Sequence, residues 1–188
     1  GILDQTITPP GSRMMRRWMV LPLKEMTPIQ ERHEIVSHLL NHEDFRETIR
    51  THLKEIGDLE RIISKVATGR INPKEILQLA RALRALAPIK AACAKSTSKP
   101  LRQLADQLNL CDILRGRIET ELDADAAIAV GRGPVIARGI NAELDELRLL
   151  QTSGKECLEN IRLREIETTG ISSIKISFNN VFGYYIEV

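Results

Sequence analysis
At 188 residues, 43% hydrophobic and 28% charged, the chain can bury one sizeable core with room for a smaller second unit. The net charge of +2 excludes a one-sign field that would advertise nucleic acid or membrane over the whole surface. No apolar run approaches the roughly 20 residues needed to span a bilayer, so no membrane partner is expected.

The chain opens Gly1-Ile2-Leu3 without an initiator methionine or a charged-plus-apolar leader. It closes at Tyr184-Tyr185-Ile186-Glu187-Val188, which reads as a strand whose backbone groups lack a partner. Both ends are expected of an excised segment. Cys93, Cys111 and Cys157 are far apart, odd in number and without CxxC spacing. That argues against a disulfide framework and a zinc site, and for a reducing, cytoplasmic setting.

Up to about Thr168 the pattern is helical and short of aromatics. Only Trp18 and Phe45 precede the terminal group Phe178, Phe182, Tyr184 and Tyr185. Thr8 before Pro9-Pro10, Thr27-Pro28-Ile29-Gln30 and Asn72-Pro73-Lys74-Glu75 each predict a capping side chain ahead of a first-turn proline. The last two also predict a capping box. Arg13, Arg16, Arg17 and Lys24 cluster along the first helix, as a solvated or ion-paired face or as a contact to phosphate or another domain. Gly57, Gly69 and Pro88 read as punctuation between helices. Lys99-Pro100 reads as the start of another, running through Leu101, Leu104 and Leu108. Short connections imply antiparallel neighbours.

Ala126-Ala127-Ile128-Ala129-Val130 reads as a short strand, followed by a turn at Gly131-Arg132-Gly133-Pro134. A long helix then runs from an Asn141 cap to about Thr168, on the order of 40 Å and too long for one small core to cover. Leu147, Leu150, Gly154, Cys157 and Ile161 recur at 3-4-3-4 spacing, a heptad seam for one partner helix. Leu144 and Leu147 are expected to pack on the preceding helices. From Ile174 the period becomes two, with Ile174, Ile176 and Phe178 opposite Lys175, Ser177 and Asn179. Asn179-Asn180 marks a bend and Gly183 a second break.

The catalytic motifs do not survive inspection. His33 and His38 are five apart, roughly 140° around a helix, where a zinc-protease helix needs four-residue spacing. His38 and His42 have that spacing, but Leu39-Leu40-Asn41 reads as the end of one helix and the cap of the next. These histidines are expected to be solvated. Gly131-Arg132-Gly133 opens like a dinucleotide fingerprint, but Pro134 follows and Ile136 replaces the third glycine. Ser153-Gly154-Lys155-Glu156 lacks the Ser/Thr and first glycine of a phosphate loop and lies in a helical pattern. Lys175, Asn179 and Asn180 remain, a lysine flanked by amides that suits a sugar-phosphate backbone without reading bases.

Leu3-Asp4-Gln5-Thr6-Ile7-Thr8-Pro9-Pro10-Gly11-Ser12-Arg13-Met14-Met15-Arg16-Arg17-Trp18, then Pro22-Leu23, closely resembles the opening of the helical core of the MutS family of DNA mismatch repair proteins. Gly57-Asp58-Leu59-Glu60-Arg61 and Gly139-Ile140-Asn141-Ala142-Glu143-Leu144-Asp145-Glu146-Leu147-Arg148 resemble later blocks of that core. Most specific are Thr169-Gly170-Ile171, Ile174-Lys175-Ile176 and Asn179-Asn180-Val181-Phe182-Gly183-Tyr184-Tyr185-Ile186. Pro10 stands where the family usually has methionine, and Gly133-Pro134 where it has paired glycines.

The resemblance implies a mainly α fold: a multi-helical core with one long lever helix and short β-strands at the C-terminal end. Residues 1–168 would be core and lever, and 169–188 the truncated start of a β-rich clamp. It implies a non-catalytic segment coupling an ATPase elsewhere in the parent to mismatch-reading and DNA-clamping parts. ATP and Mg would belong to the full-length parent, which would be a homodimer on double-stranded mismatched DNA. Lys175, Asn179 and Asn180 would meet the DNA backbone. A helical protein-interaction scaffold without DNA contact is the alternative.

Overall fold
The computed structural model describes residues 3–181 and 183–188. Gly1, Ile2 and the expected clamp aromatic Phe182 lie outside the described residues. Among the described residues eight helices precede a two-stranded sheet, so the fold is mainly α. Two compact units divide the chain, Gly1–Ala137 and Arg138–Val188.

The first unit is built around one helix. α1 (Pro9–Val20), α2 (Met26–Asn41), α3 (Glu43–Ile56) and α4 (Leu59–Ala67) lead to α5 (Pro73–Ala94), and α6 (Lys99–Gln107) and α7 (Asp112–Glu121) follow. α5 is apolar on more than one side and feeds two clusters. Ala82, Ala85, Ile89 and Cys93 pack with Ile56, Leu101 and Ala105. Leu79, Ala80 and Leu83 pack with Ile62 and Ile118. Alanines at 80, 82 and 85 let neighbouring backbones come close, which keeps a thin core dense.

Two of the three caps predicted ahead of a first-turn proline form. Thr8 Oγ1 accepts from the Gly11 amide at 3.1 Å. Asn72 Oδ1 accepts from the Glu75 amide at 3.0 Å while Glu75 Oε2 accepts from the Asn72 amide at 3.2 Å, a closed capping box. Lys65 holds the same Glu75 carboxylate and, with the Asn72 amide, keeps its pKa below the usual glutamate value. The Thr27 cap does not form, because α2 begins two residues earlier than that cap requires, at Met26, with Glu25 as its N-cap. Thr27 and Pro28 sit inside the first turn, where the missing proline N–H is tolerated.

Three other expectations, on Pro88, Asn41 and residues 126–130, are corrected. Pro88 does not separate helices but lies inside α5, where buried Ala85 and Ile89 hold it in place. Along α6 the core positions are Leu101, 4% exposed, and Ala105, 1% exposed, while Leu104 faces outward. Asn41 caps nothing; His42 serves as both C-cap of α2 and N-cap of α3. The strand expected at 126–130 is irregular backbone. The only pairing there is the isolated bridge Leu122↔Ile136, with the Ala127 amide donating to the Pro134 carbonyl at 2.8 Å. Ala126 is buried, Ile128 and Val130 are exposed, and the Gly131–Pro134 turn has no flanking ladder to extend.

The second unit is a helix followed by a hairpin. α8 (Ala142–Thr169) starts where Asn141 Oδ1 accepts from the Leu144 amide at 2.9 Å, and ends at left-handed Gly170 (φ 71°). None of its 28 residues is buried, and seam residue Leu147 is 57% exposed. Buried Ile174 leads into β1 (Lys175–Asn179), which pairs antiparallel with β2 (Gly183–Glu187). The terminal strand therefore has the partner its sequence seemed to lack.

Candidate nucleic-acid interface
The hairpin register places the candidate residues. The pairs are Lys175↔Glu187, Ile176↔Ile186, Ser177↔Tyr185, Phe178↔Tyr184 and Asn179↔Gly183. Side chains alternate across a strand, so one face carries Ile176, Phe178, Tyr184 and Ile186, with the Phe178 and Tyr184 ring centroids 5.0 Å apart. The other carries Lys175, Ser177 and Asn179 on β1, with Tyr185 and Glu187 opposite.

Lys175 and Asn179 thus share a face at a separation of about 13 Å, close to the axial rise of four phosphates along one DNA strand. Lys175 is exposed. Asn179 has work of its own, since its Oδ1 accepts from the Val181 amide at 2.9 Å and fixes the turn. Asn180 is not on this face but in the turn, where it is exposed. Gly183 at φ 74° supplies the left-handed backbone that closes the hairpin.

Two members of this face escape strand-by-strand reading. Glu187 brings a carboxylate opposite Lys175, and Ser177 Oγ donates to its Oε2 at 3.4 Å. Tyr185 brings a phenol opposite Ser177. Both follow from antiparallel register, which requires the turn to be placed first.

The basic cluster of α1 is partly occupied by structural duties. Arg13 reaches Asp58 at 2.5 Å and Glu60 at 2.6 Å, joining the first resemblance block to the second. The Arg13 guanidinium holds the Asp58 carboxyl below its usual pKa. Asp58 also caps α4 by accepting from the Arg61 amide at 3.2 Å. Trp18, on the same helix, carries the Arg32 guanidinium 3.5 Å from its ring centroid, beside an open groove of about 720 Å³ that Met14, Ile35 and Leu104 also line.

The histidines are not both solvated, as was expected. His38 is half-buried, stacks on His42 with centroids 4.0 Å apart, and meets Ser96 Oγ through Nε2 at 3.1 Å. Ser98 Oγ donates to Glu34 Oε1 at 2.9 Å, so α2 is tied twice to the α5–α6 connection. No group of three or more potential metal ligands occurs among the described residues. No described helix is long and apolar enough to cross a membrane.

The family profile of MutS domain III matches residues 1–175, ending at the first residue of β1. The DNA mismatch repair protein MutS of Parabacteroides distasonis is 53% identical over 187 residues, covering 100% of this chain and 22% of its own length. The proteins of that name from Flavobacterium psychrophilum and Bacteroides fragilis are 51% and 50% identical with the same coverage. The chain spans about a fifth of the length of these relatives.

Proposed function
The chain belongs to the MutS family, as its domain III, and from that premise we propose that it is the non-catalytic connecting and lever segment of a cytoplasmic DNA mismatch repair protein. In this reading it couples an ATPase elsewhere in the parent to the parts that read mismatches and clamp DNA. Lys175, Asn179 and Asn180 touch the sugar-phosphate backbone without reading bases. The parent acts as a homodimer on mismatched duplex DNA.

The observation that carries the reading is α8: 28 residues, about 42 Å, with no buried residue and a hairpin at its far end. A rod of that kind has little to stabilise by itself and much to transmit. The residues do not suit ATP or Mg. Gly154-Lys155, the pair that would begin a phosphate-loop match, lies inside α8 and is followed by Glu156, so no chemical step is assigned to this chain.

Breaking the rod tests the coupling. In the longer protein, Gly154→Pro should leave basal ATP turnover intact and abolish its response to mismatched DNA. An unchanged response would sink the lever reading. The exposed seam of Leu147, Leu150 and Ile161 also favours a helical interaction scaffold without DNA contact. Deleting 175–188 separates the two, because only the lever-and-clamp reading expects DNA binding to weaken.

A further inference from the structure
Tyr184 and Tyr185 are neighbours with opposite surroundings. Tyr184 lies across from Phe178 and joins its ring to the apolar face. Tyr185 lies across from Ser177, midway between the rows of Lys175 and Asn179. It is 40% exposed, and its hydroxyl has no hydrogen-bond partner among the described residues. A phenol offers one strong donor at the end of a rigid ring, with only two torsions to fix on binding.

We propose that Tyr185 is a further DNA-backbone contact of the hairpin, its phenol O–H donating to a phosphate oxygen between the positions met by Lys175 and Asn179. This rests on the reading of the hairpin as a DNA-facing element. A hydrogen bond from a neutral donor to an anionic oxygen is charge-assisted, yet neutralises no phosphate. It therefore adds affinity without releasing a counterion, whereas Lys175 adds both affinity and salt dependence. Glu187 sharpens the distinction. Its carboxylate opposes phosphate at the Lys175 end of the face, so a larger share of the holding falls to uncharged donors nearer the turn.

The two tyrosines provide matched variants. Binding of the full 188-residue chain to a short fluorescein-labelled duplex is followed by anisotropy between about 50 and 200 mM KCl. Tyr185→Phe should weaken binding roughly five- to tenfold with the slope of log K against log salt unchanged. Tyr184→Phe should leave both unchanged, and Lys175→Ala should reduce the slope by about 0.9. Melting of each variant confirms that the fold is retained. If Lys175→Ala lowers the slope while Tyr185→Phe behaves like Tyr184→Phe, the Tyr185 contact is wrong and the DNA-facing hairpin stands. If both tyrosine variants weaken binding alike, the effect belongs to hairpin packing and the contact is overturned. If no variant changes binding, the reading of the hairpin falls and takes the contact with it.

Discussion

Single residues decide more here than their exposure suggests. His38 is held below its ordinary pKa of 6.5, first by burial and then by the charge of His42, with Glu34 opposing both. The unfolded chain therefore takes up the proton first as pH falls. His38 contributes stability that is complete above about 6.5 and is lost as pH drops through its lower folded value. Urea midpoints measured from about pH 7.5 to 5 should fall for the native chain and fall less for His38→Gln. A steeper fall in the variant would contradict the assignment. Gly183 has the opposite kind of importance. At φ 74° any side chain strains the backbone, so Gly183→Ala should cost the hairpin about 1 kcal/mol, readable as faster amide exchange in β2. Composition marked Arg13 as part of a basic cluster but not its partners, because the acids it grips lie about 45 positions away, at Asp58 and Glu60. Only the folded chain brings them within reach.

Elements whose signals are local were legible. Thr8, Asn72 and Asn141 announce their helices because a cap is made within three residues of itself. Pro88 does not end its helix, because proline punctuates a chain only when nothing overrides it. In α5, burial of Ala85 and Ile89 on either side keeps the helix continuous at the cost of one backbone hydrogen bond. Pro88→Ala should restore that bond and raise the melting temperature by a few degrees; a lowered one would mean that the ring is needed for packing. The segment 126–130 failed for a related reason, since β-propensity makes no strand without a neighbour to pair with. α8 was legible in length, cap and seam, and its exposure sets its dynamics. Residues 155–169 should exchange amide hydrogens much faster than α5, because none of them is fully buried to supplement intrinsic helix propensity and Gly154 lowers it. Hydrogen exchange with light scattering checks this, and strong protection of 155–169 in a proven monomer would overturn it.

At the scale of the whole molecule, a charge of +2 and a single short hairpin predict modest, sequence-blind DNA binding. The dissociation constant should lie at about 10⁻⁴ to 10⁻⁶ M at physiological salt, with no discrimination between matched and mismatched duplex. A tenfold mismatch preference, about 1.4 kcal/mol, would place base recognition inside this chain. Calorimetry with ATP should register no binding. The candidate site was only half legible: Lys175 and Asn179 stand out along one strand, whereas Tyr185 and Glu187 join them through a pairing that strand does not encode. The two clusters of the first unit share the backbone of α5, so neither can lose its packing while the other keeps a straight helix to pack on. Heat should therefore take residues 3–137 apart in one step, with calorimetric and van't Hoff enthalpies equal for that transition. A lesion beside Ile118 should be felt as strongly beside Leu101, which makes this unit a poor place to store independent adjustments and a good fixed end for anything that has to push against it.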